Sequence, residues 1–260
     1  MGAINLNRAR VLLTNDDGID APGLAVLEKL IAPLVRELWV VAPHLEQSAT
    51  SHSLTIHSPL RVKHLSNTRK AVTGTPTDAA LLALRHIMPD PPDLVLSGIN
   101  RGGNLGGDVL YSGTVGAAME GALLGVPAIA FSQDKPTGKD VNWRTAEMHL
   151  VPVLNKILTQ SWPTEVVINV NFPNADTDQV KGIKVVPQGR RKPGGRLVDG
   201  VDPRGEAFVW ISSEKEQAYP MPGTDEDWID QGWITITPLS VDMTDRNTFC
   251  LLYTSPSPRD

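Results

Sequence analysis

Two adjacent carboxylates end the first apolar run of the sequence, in the segment Thr14-Asn15-Asp16-Asp17-Gly18. Asn, Asp and Gly are turn-forming residues, so one interpretation of this segment is a solvated surface turn. The other is a binding site for a divalent cation, because two carboxylates balance its charge and leave a nearly neutral site that accepts a phosphate dianion. The loops elsewhere in the chain decide between these interpretations.

Polar side chains also follow later apolar runs. Ser48 lies in a hydroxyl-rich loop, and Asn100 opens a glycine-rich loop. Because ligands of open parallel α/β sheets bind outside the carboxyl ends of the strands, we expect both loops to meet Asp16 and Asp17 at one edge. Carboxylate, hydroxyl and amide oxygens are hard ligands that suit Mg²⁺ or Mn²⁺ better than zinc. The sequence therefore predicts a cation site at this edge.

The glycine-rich loop predicts the second half of the site. Its glycines let the backbone approach a ligand closely; they are Gly102, Gly103, Gly106 and Gly107. Ser112, Gly113 and Thr114 then begin a helix, where free N–H groups and the helix dipole favour an anion. A merely flexible connection is the alternative interpretation.

The elements that position these loops alternate between strand and helix. Apolar runs predict strands at 11–14, 38–42, 60–64, 71–73, 93–97, 128–131 and 166–170, and helical spacing predicts helices at 22–34, 79–87, 115–124 and 143–158. This order predicts an α/β fold, namely a three-layer, Rossmann-like, mostly parallel sheet.

The C-terminal part has a different character. We interpret residues 1–250 as a single domain in which 187–240 is a protruding β-hairpin extension, an oligomerisation arm that packs on a neighbour. Strands are predicted there at 208–211 and 233–237. Residues 251–260 contain two prolines and no hydrophobic period, so we interpret them as a non-native tail that replaces a closing helix.

Composition excludes several classes of protein. The chain has 260 residues, is 41% hydrophobic and carries a net charge of −5, which gives no electrostatic footprint for nucleic acid. No apolar run approaches the roughly 18 residues that span a bilayer, and the N-terminal segment lacks the apolar core of an export signal. The one cysteine excludes an internal disulfide framework and a cysteine-rich zinc site. We expect a cytoplasmic protein that binds neither nucleic acid nor membrane.

Several sharper motifs are absent from the sequence. There is no G-x-G-x-x-G, no P-loop, no G-x-S-x-G and no H-E-x-x-H, which argues against dinucleotide binding, P-loop chemistry, a nucleophile elbow and a zinc protease. His44, His57 and His64 show no ligand spacing and are interpreted as surface or packing residues. His52 is the exception that we keep open, because it shares the Ser48 loop.

Taken together, the motifs resemble the SurE survival-protein nucleotidases over roughly residues 10–245. The combination of N-D-D-G, S-G-I-N-x-G-x-N and Y-S-G-T is specific to that family. The matching segments are TNDDGIDAPGL at 14–24, VVAPHLEQSATSHSLT at 40–55, GTPTD at 74–78, LVLSGINRGGNLGGDVLYSGTVGAAMEG at 94–121, DPRG at 202–205, PGTD at 222–225 and GWITITPL at 232–239.

The resemblance implies a metal-dependent 5′-nucleotidase that removes phosphate from nucleoside monophosphates, with some members acting on 3′-nucleotides or short polyphosphate. It implies one Mg²⁺ or Mn²⁺ per subunit and assembly as homodimers or homotetramers through the C-terminal extension. Its metal ligands fall on Asp16, Asp17, Ser48 and Asn100, and its phosphate pocket on Asn104, Ser112, Gly113 and Thr114. One departure is Ala49, which stands where the family has glycine after the serine.

The predicted reaction is attack of a metal-activated water on phosphorus, in line with the leaving nucleoside oxygen. Asp16 orients or deprotonates that water, and Asn100 and the 112–114 amides stabilise charge on the equatorial oxygens. No general acid for the leaving group is evident. Direct attack by an aspartate is a minor alternative mechanism, and an exopolyphosphatase or a non-catalytic nucleotide-binding sensor are the alternative functions.

Overall fold

Strands and helices alternate along most of the computed structural model, which describes residues 4–135, 140–190, 195–211 and 220–254. The strands are β1 Arg10–Thr14, β2 Glu37–Pro43, β3 Val62–His64, β4 Arg69–Val72, β5 Leu94–Arg101, β6 Ala128–Gln133, β7 Val166–Phe172, β8 Ile183–Val185, β9 Leu197–Val201, β10 Ala207–Ile211 and β11 Ile234–Ser240. The helices are α1 Pro22–Ile31, α2 Pro76–Leu82, α3 Gly113–Leu123, α4 Arg144–Leu158, α5 Asp225–Asp230 and α6 Arg246–Thr254. Within these ranges, no helix has the length and apolar character needed to span a bilayer.

Nine strands form one mixed sheet in the order β3-β4-β2-β1-β5-β6-β7-β11-β8. The central strands from β4 to β7 are parallel, whereas β3 runs antiparallel to β4 and β11 runs antiparallel to β7. This confirms the predicted α/β class and the mostly parallel sheet. Because the central strands share one direction, the loops that follow them emerge at one edge.

Side chains of the central strands are buried on both faces of the sheet. In β1, Val11 and Leu13 pack with α1 and α4 residues on one face, and Leu12 packs with α2 and α3 residues on the other. Successive side chains of a strand alternate between faces, so a fully apolar strand requires cover on both sides. The result is the predicted three-layer arrangement.

Helix α1 approaches the end of β5 at Gly23. A Cβ atom at this position would lie 1.9 Å from the Ile99 carbonyl oxygen and 2.9 Å from the Trp143 ring. We expect Gly23→Ala to lower the free energy of unfolding by about 2 kcal/mol, because overpacking against backbone outweighs the better helix propensity of alanine. Urea unfolding measures the change, with Ala25→Gly as a control for propensity alone. An unchanged midpoint for Gly23→Ala would contradict this close contact.

The boundary of the predicted extension needs correction. The sequence predicts that 187–240 protrudes as an arm, but β11 pairs with β7 and β8 inside the main sheet. The structure also shows β8, β9 and α5, which are not among the predicted elements. Within the described residues, the part separate from the main sheet is the antiparallel β9–β10 hairpin.

The expectation that no helix closes the chain was wrong. Helix α6 follows β11, and the Phe249 and Tyr253 rings stack on its surface with centroids 6.2 Å apart. Phe249, Leu252 and Tyr253 have helical spacing, and the predicted boundary at residue 251 divides this pattern. Residues 255–260 lie outside the described ranges, and the non-native origin of 251–260 stays a prediction.

Candidate metal and phosphate site

Asp16 lies directly against the start of α3. It follows β1 and is 5% exposed, and its Oδ1 atom accepts a hydrogen bond from the Thr114 hydroxyl. A Cβ atom on Gly113 would lie 2.8 Å from Asp16 Cβ and 3.2 Å from Asp16 Oδ2. The structure therefore brings together a predicted metal ligand and two predicted phosphate-binding residues that are nearly one hundred positions apart.

Ser112 provides the N-cap that makes α3 begin at this point. Its Oγ atom accepts a hydrogen bond from the Val115 amide at 3.1 Å, which satisfies one of the free donors of the first turn. The remaining N–H groups and the helix dipole favour an anion beside Asp16. This half of the site has the character expected of a phosphate pocket.

Asp17 is held by the end of β5. Its Oδ2 atom accepts a hydrogen bond from the Arg101 amide at 3.0 Å, so β1 and the residue after Asn100 are joined at the sheet edge. Asn100 is half-buried, and its Nδ2 atom donates to the Gly102 carbonyl at 2.7 Å. With its amide nitrogen engaged, Asn100 has its side-chain oxygen to offer a cation.

The Ser48 loop docks on the same edge through its backbone. The Gln47 amide donates to the Asp16 carbonyl oxygen at 2.8 Å. The Ser48 side chain is exposed and donates to Glu46 Oε1 at 2.8 Å, and the charge of Glu46 in turn raises the pKa of Asp17. The backbone of the Ser48 loop therefore meets Asp16, whereas the Ser48 hydroxyl contacts Glu46 and would have to turn from it to reach a cation.

Burial and mutual repulsion make the two aspartates a site for positive charge. Burial, followed by the negative charge of Asp17, raises the pKa of Asp16 from 3.8 to about 6. Burial also raises the pKa of Asp17, against the opposing effect of the hydrogen bond from Arg101. A divalent cation removes this cost, because it stabilises both carboxylates in their charged form.

The oxygen donors present fit Mg²⁺ or Mn²⁺. The described residues contain no group of three or more His, Cys, Asp or Glu side chains that could hold a metal ion. The candidate therefore combines two carboxylates with neutral hydroxyl and amide oxygens, a hard donor set typical of these ions. Next to Asp16, the Oδ1 atom of Asn15 is buried without a hydrogen-bond partner in the described parts of the chain, as expected where a ligand or water completes a site.

Solvent reaches Asp17 through a cleft of about 310 Å³. Its polar lining includes Glu46, Arg101 and Asp140, and its floor is formed by Trp143 and the start of α1. Arg101 pairs with Asp140 across the cleft at 3.3 Å. This cleft therefore gives a ligand open access to Asp17, whereas Asp16 lies outside its lining.

Residues 100–111, which we name the phosphate loop for their proposed ligand, are anchored by two asparagines that are not among the predicted site residues. Asn169 and Asn171 of β7 donate to the Asn104 carbonyl oxygen at 2.9 and 3.1 Å, and Asn171 accepts from the Asn104 amide at 2.8 Å. The Asn104 side chain donates to Ser132 at 2.9 Å. Two asparagines at alternate positions of an otherwise apolar strand are the signal that could have identified this anchor.

His52 connects the Ser48 loop to α3 through a side-chain contact. Its Nε2 atom lies 2.9 Å from Glu120 Oε2, and a Cβ atom on Gly116 would lie 2.6 Å from the Ser51 carbonyl oxygen.

The family departure at Ala49 also has a structural consequence, because this residue has a φ of 60°, a left-handed conformation that favours glycine. His44, His57 and His64 are exposed.

Comparison with known proteins identifies relatives that match nearly the whole chain. A 5′-nucleotidase SurE of Paramagnetospirillum magneticum is 50% identical over 247 residues, which cover 95% of each chain. A 5′-nucleotidase SurE of Rhodospirillum rubrum is also 50% identical, over 94% of this chain and 95% of the relative. The crystal structure of the SurE protein from Aquifex aeolicus superposes with a TM-score of 0.79 at 38% identity, covering 94% of this chain and 99% of that one.

The family profile described as survival protein SurE matches residues 11–194, the segment that holds every residue of the candidate site. The chain belongs to the SurE family.

Proposed function

We propose that the chain is a metal-dependent phosphomonoesterase that hydrolyses nucleoside 5′-monophosphates to nucleoside and phosphate. The observation that carries the proposal is the contact of Asp16 with Gly113 and Thr114, which places a carboxylate against an anion-binding helix start. The printed name of the 50% identical relatives, 5′-nucleotidase SurE, supports the same substrate class.

In this mechanism Asp16, Asp17, Ser48 and Asn100 hold one Mg²⁺ or Mn²⁺. What the cation supplies when bound is Lewis acidity toward a phosphoryl oxygen and a lower pKa for an attacking water. The second requirement is a fixed phosphate, which Asn104 and the 112–114 segment provide. Separate binding residues for the cation and for the phosphate keep the reacting groups in a fixed relative geometry.

The chain's own residues then direct the displacement at phosphorus. Asp16 orients the attacking water and accepts its proton, while Asn100 and the amides of the α3 start stabilise charge on the equatorial oxygens. The P–O bond to the nucleoside breaks, and the nucleoside oxygen leaves on the side opposite the attacking water and takes up a proton from solvent. In the alternative mechanism an aspartate attacks phosphorus directly, and it requires an acyl-phosphate that rapid quenching would trap.

The decisive experiment measures phosphate release from a panel of substrates. The panel contains nucleoside 5′-monophosphates, nucleoside 3′-monophosphates and polyphosphate, each with Mg²⁺, with Mn²⁺ or with chelator. We expect the fastest metal-dependent release from 5′-monophosphates. Preference for polyphosphate over every monophosphate would favour an exopolyphosphatase, and tight nucleotide binding without turnover would favour a sensor.

We also propose that the chain forms homodimers or homotetramers through the β9–β10 hairpin. Apolar side chains along this hairpin are exposed, and Trp210 and Ile211 are 67% and 71% exposed. A lone two-stranded hairpin is at best marginally stable in water, so it gains stability when a second copy of the chain covers it. The exposed apolar side chains of α6 offer a second surface for contact between copies.

Trp210→Glu is expected to weaken this assembly by about 30-fold or more, because a buried tryptophan at an interface contributes roughly 2 kcal/mol or more. Sedimentation equilibrium over a range of protein concentrations measures the dissociation constant. Arg204→Glu, at the exposed turn of the same hairpin, is the control for added negative charge. An unchanged dissociation constant for Trp210→Glu would show that the hairpin does not carry the contact.

A further inference from the structure

A buried carboxylate outside the proposed metal and phosphate residues contacts the phosphate loop. Asp225, the last residue of the P-G-T-D segment, is 0% exposed. Its Oδ2 atom accepts a hydrogen bond from the Gly106 amide at 3.0 Å. Its Oδ1 atom accepts from the Gly189 amide at 2.7 Å and from the Glu226 amide at 2.9 Å. The Asp225 carboxylate therefore links the backbones of Gly106 and Gly189, which are distant in sequence, to the first turn of α5.

Gly106 lies between the two groups of proposed phosphate-binding residues. It follows Asn104 by two positions and begins the short helix Gly106–Leu110, which leads directly to the Ser112 cap of α3. Its carbonyl oxygen is also held, because Gln188 Nε2 donates to it at 2.7 Å. Both backbone polar groups of Gly106 are thus fixed by side chains from beyond residue 185, and the position of Gly106 constrains the approach to α3.

The Asp225 contact is independent of the β7 anchor. Asn169 and Asn171 fix the loop at Asn104, before the short helix, whereas Asp225 fixes it where that helix begins. A carboxylate also suits this place better than an amide, because the N–H donors approach both of its oxygens. Asparagine accepts through one atom only, so its NH₂ group would face an N–H donor.

Asp225 also connects the loop to the segment that precedes the hairpin. Besides accepting from Gly189, it donates its own amide to the Pro187 carbonyl oxygen at 3.0 Å. The strand β8 ends at Val185, and the hairpin begins at Leu197. Asp225 therefore contacts both the 187–189 segment and the phosphate loop.

We infer that Asp225 is a positioning residue for phosphate binding: through Gly106 it holds the loop between Asn104 and Ser112 in the geometry that receives the phosphoryl group. This inference rests on the proposed function for its kinetic consequence. Its structural consequence is that the backbone amides around Gly106 are protected from hydrogen exchange, and this protection does not depend on turnover. Asp225 acts through the backbone of the loop and touches neither the reacting atoms nor the cation ligands in the described contacts.

The test is Asp225→Asn in the full-length protein, because the substitution preserves side-chain size while removing one of the two acceptor oxygens. We expect KM for a nucleoside 5′-monophosphate and the inhibition constant of inorganic phosphate each to rise about tenfold, in line with loss of a charge-assisted hydrogen bond. We expect kcat to stay within about threefold, because the cation ligands are untouched. Amide hydrogen exchange of a peptide spanning 102–110 is expected to speed up at least tenfold.

Asp227→Asn is the matched control on the same helix. Asp227 accepts hydrogen bonds from the Gly223 amide at 2.7 Å and from Gln231 at 2.9 Å, neither of which belongs to the phosphate loop. We expect this variant to leave both KM and the exchange of 102–110 unchanged. Mn²⁺ binding, followed by calorimetry, should be the same in both variants and the parent.

The outcomes separate the inference from the proposed function. Unchanged amide hydrogen exchange at 102–110 in Asp225→Asn would overturn the inference. A parallel decrease in kcat, Mn²⁺ affinity and the free energy of unfolding would also overturn it, because it indicates general damage to the fold. If the parent protein releases no phosphate, the proposed function fails, while faster exchange and weaker binding of inorganic phosphate in Asp225→Asn would still support the positioning role.

Discussion

Replacing Asp16 with asparagine is expected to lower kcat/KM for nucleoside 5′-monophosphates by about a thousandfold. Asp16 is the residue in which the two halves of the site meet, since it is a proposed cation ligand and also contacts Thr114 and the backbone of Gly113. The substitution removes one negative charge from the cation site and removes the base that orients water. The thousandfold decrease in kcat/KM corresponds to a loss of several kcal/mol of transition-state stabilisation, because each 1.36 kcal/mol changes the rate about tenfold.

The matched control for this substitution is Asp20→Asn. Asp20 lies in the same loop after β1 but is exposed and lies outside the proposed ligand set. We expect it to retain activity within about twofold, as surface substitutions usually have small effects. Initial rates of phosphate release at saturating Mn²⁺ compare the variants. Activity of Asp16→Asn within tenfold of the parent would rule out the assigned role of Asp16.

The sequence predicted which loops meet at the sheet edge, because that meeting depends on topology rather than on side-chain detail. Alternating strands and helices imply a parallel sheet, and the loops after parallel strands converge at one edge. This rule alone predicts that Asp16 meets the 112–114 segment, and the Thr114 hydrogen bond agrees with it. The docking of Gln47 on Asp16 and of Arg101 on Asp17 follows the same rule.

The anchors of the phosphate loop could not be predicted in this way. Asn169 and Asp225 act on backbone atoms of the loop, and such contacts depend on the register of β7 and on the position of α5. The alternate asparagines of β7 mark a polar position in an apolar strand without identifying its partner, and Asp225 resembles an ordinary helix start. The family resemblance marked the P-G-T-D segment without giving it a role, and the contact with Gly106 supplies one.

The C-terminal elements were predicted less well for a different physical reason. An antiparallel strand such as β11 enters the sheet at a place that chain order does not determine, so it was assigned to the extension. Helix α6 was not predicted because the boundary placed at residue 251 divides its apolar pattern, which also lacks a covering core in the single chain.

Without its cation, the protein is expected to lose up to about 3 kcal/mol of stability as the pH rises from 4 to 7 because of Asp16 alone. The pKa of Asp16 is about 6 in the folded protein against the ordinary value of 3.8. Between these values the folded protein holds a proton that the unfolded chain has released, so stability is fully present below pH 3.8 and is lost as the pH rises through 6. The difference between the two pKa values corresponds to roughly 3 kcal/mol at 1.36 kcal/mol per unit.

Urea unfolding in chelator at pH 4 and pH 7.5 measures this effect, with Asp16→Asn as the comparison. Asparagine cannot ionise and still accepts the Thr114 hydrogen bond, so the variant is expected to be more stable than the parent at pH 7.5 and to show a weaker dependence on pH. Subtracting the two curves removes the contribution of all other titrating groups. Added Mn²⁺ should reverse the order at pH 7.5, because binding to the folded state stabilises the parent more than the variant. Parallel curves in chelator would contradict the burial cost assigned to Asp16, and the expected crossing would show that the site is unstable at neutral pH unless it binds positive charge.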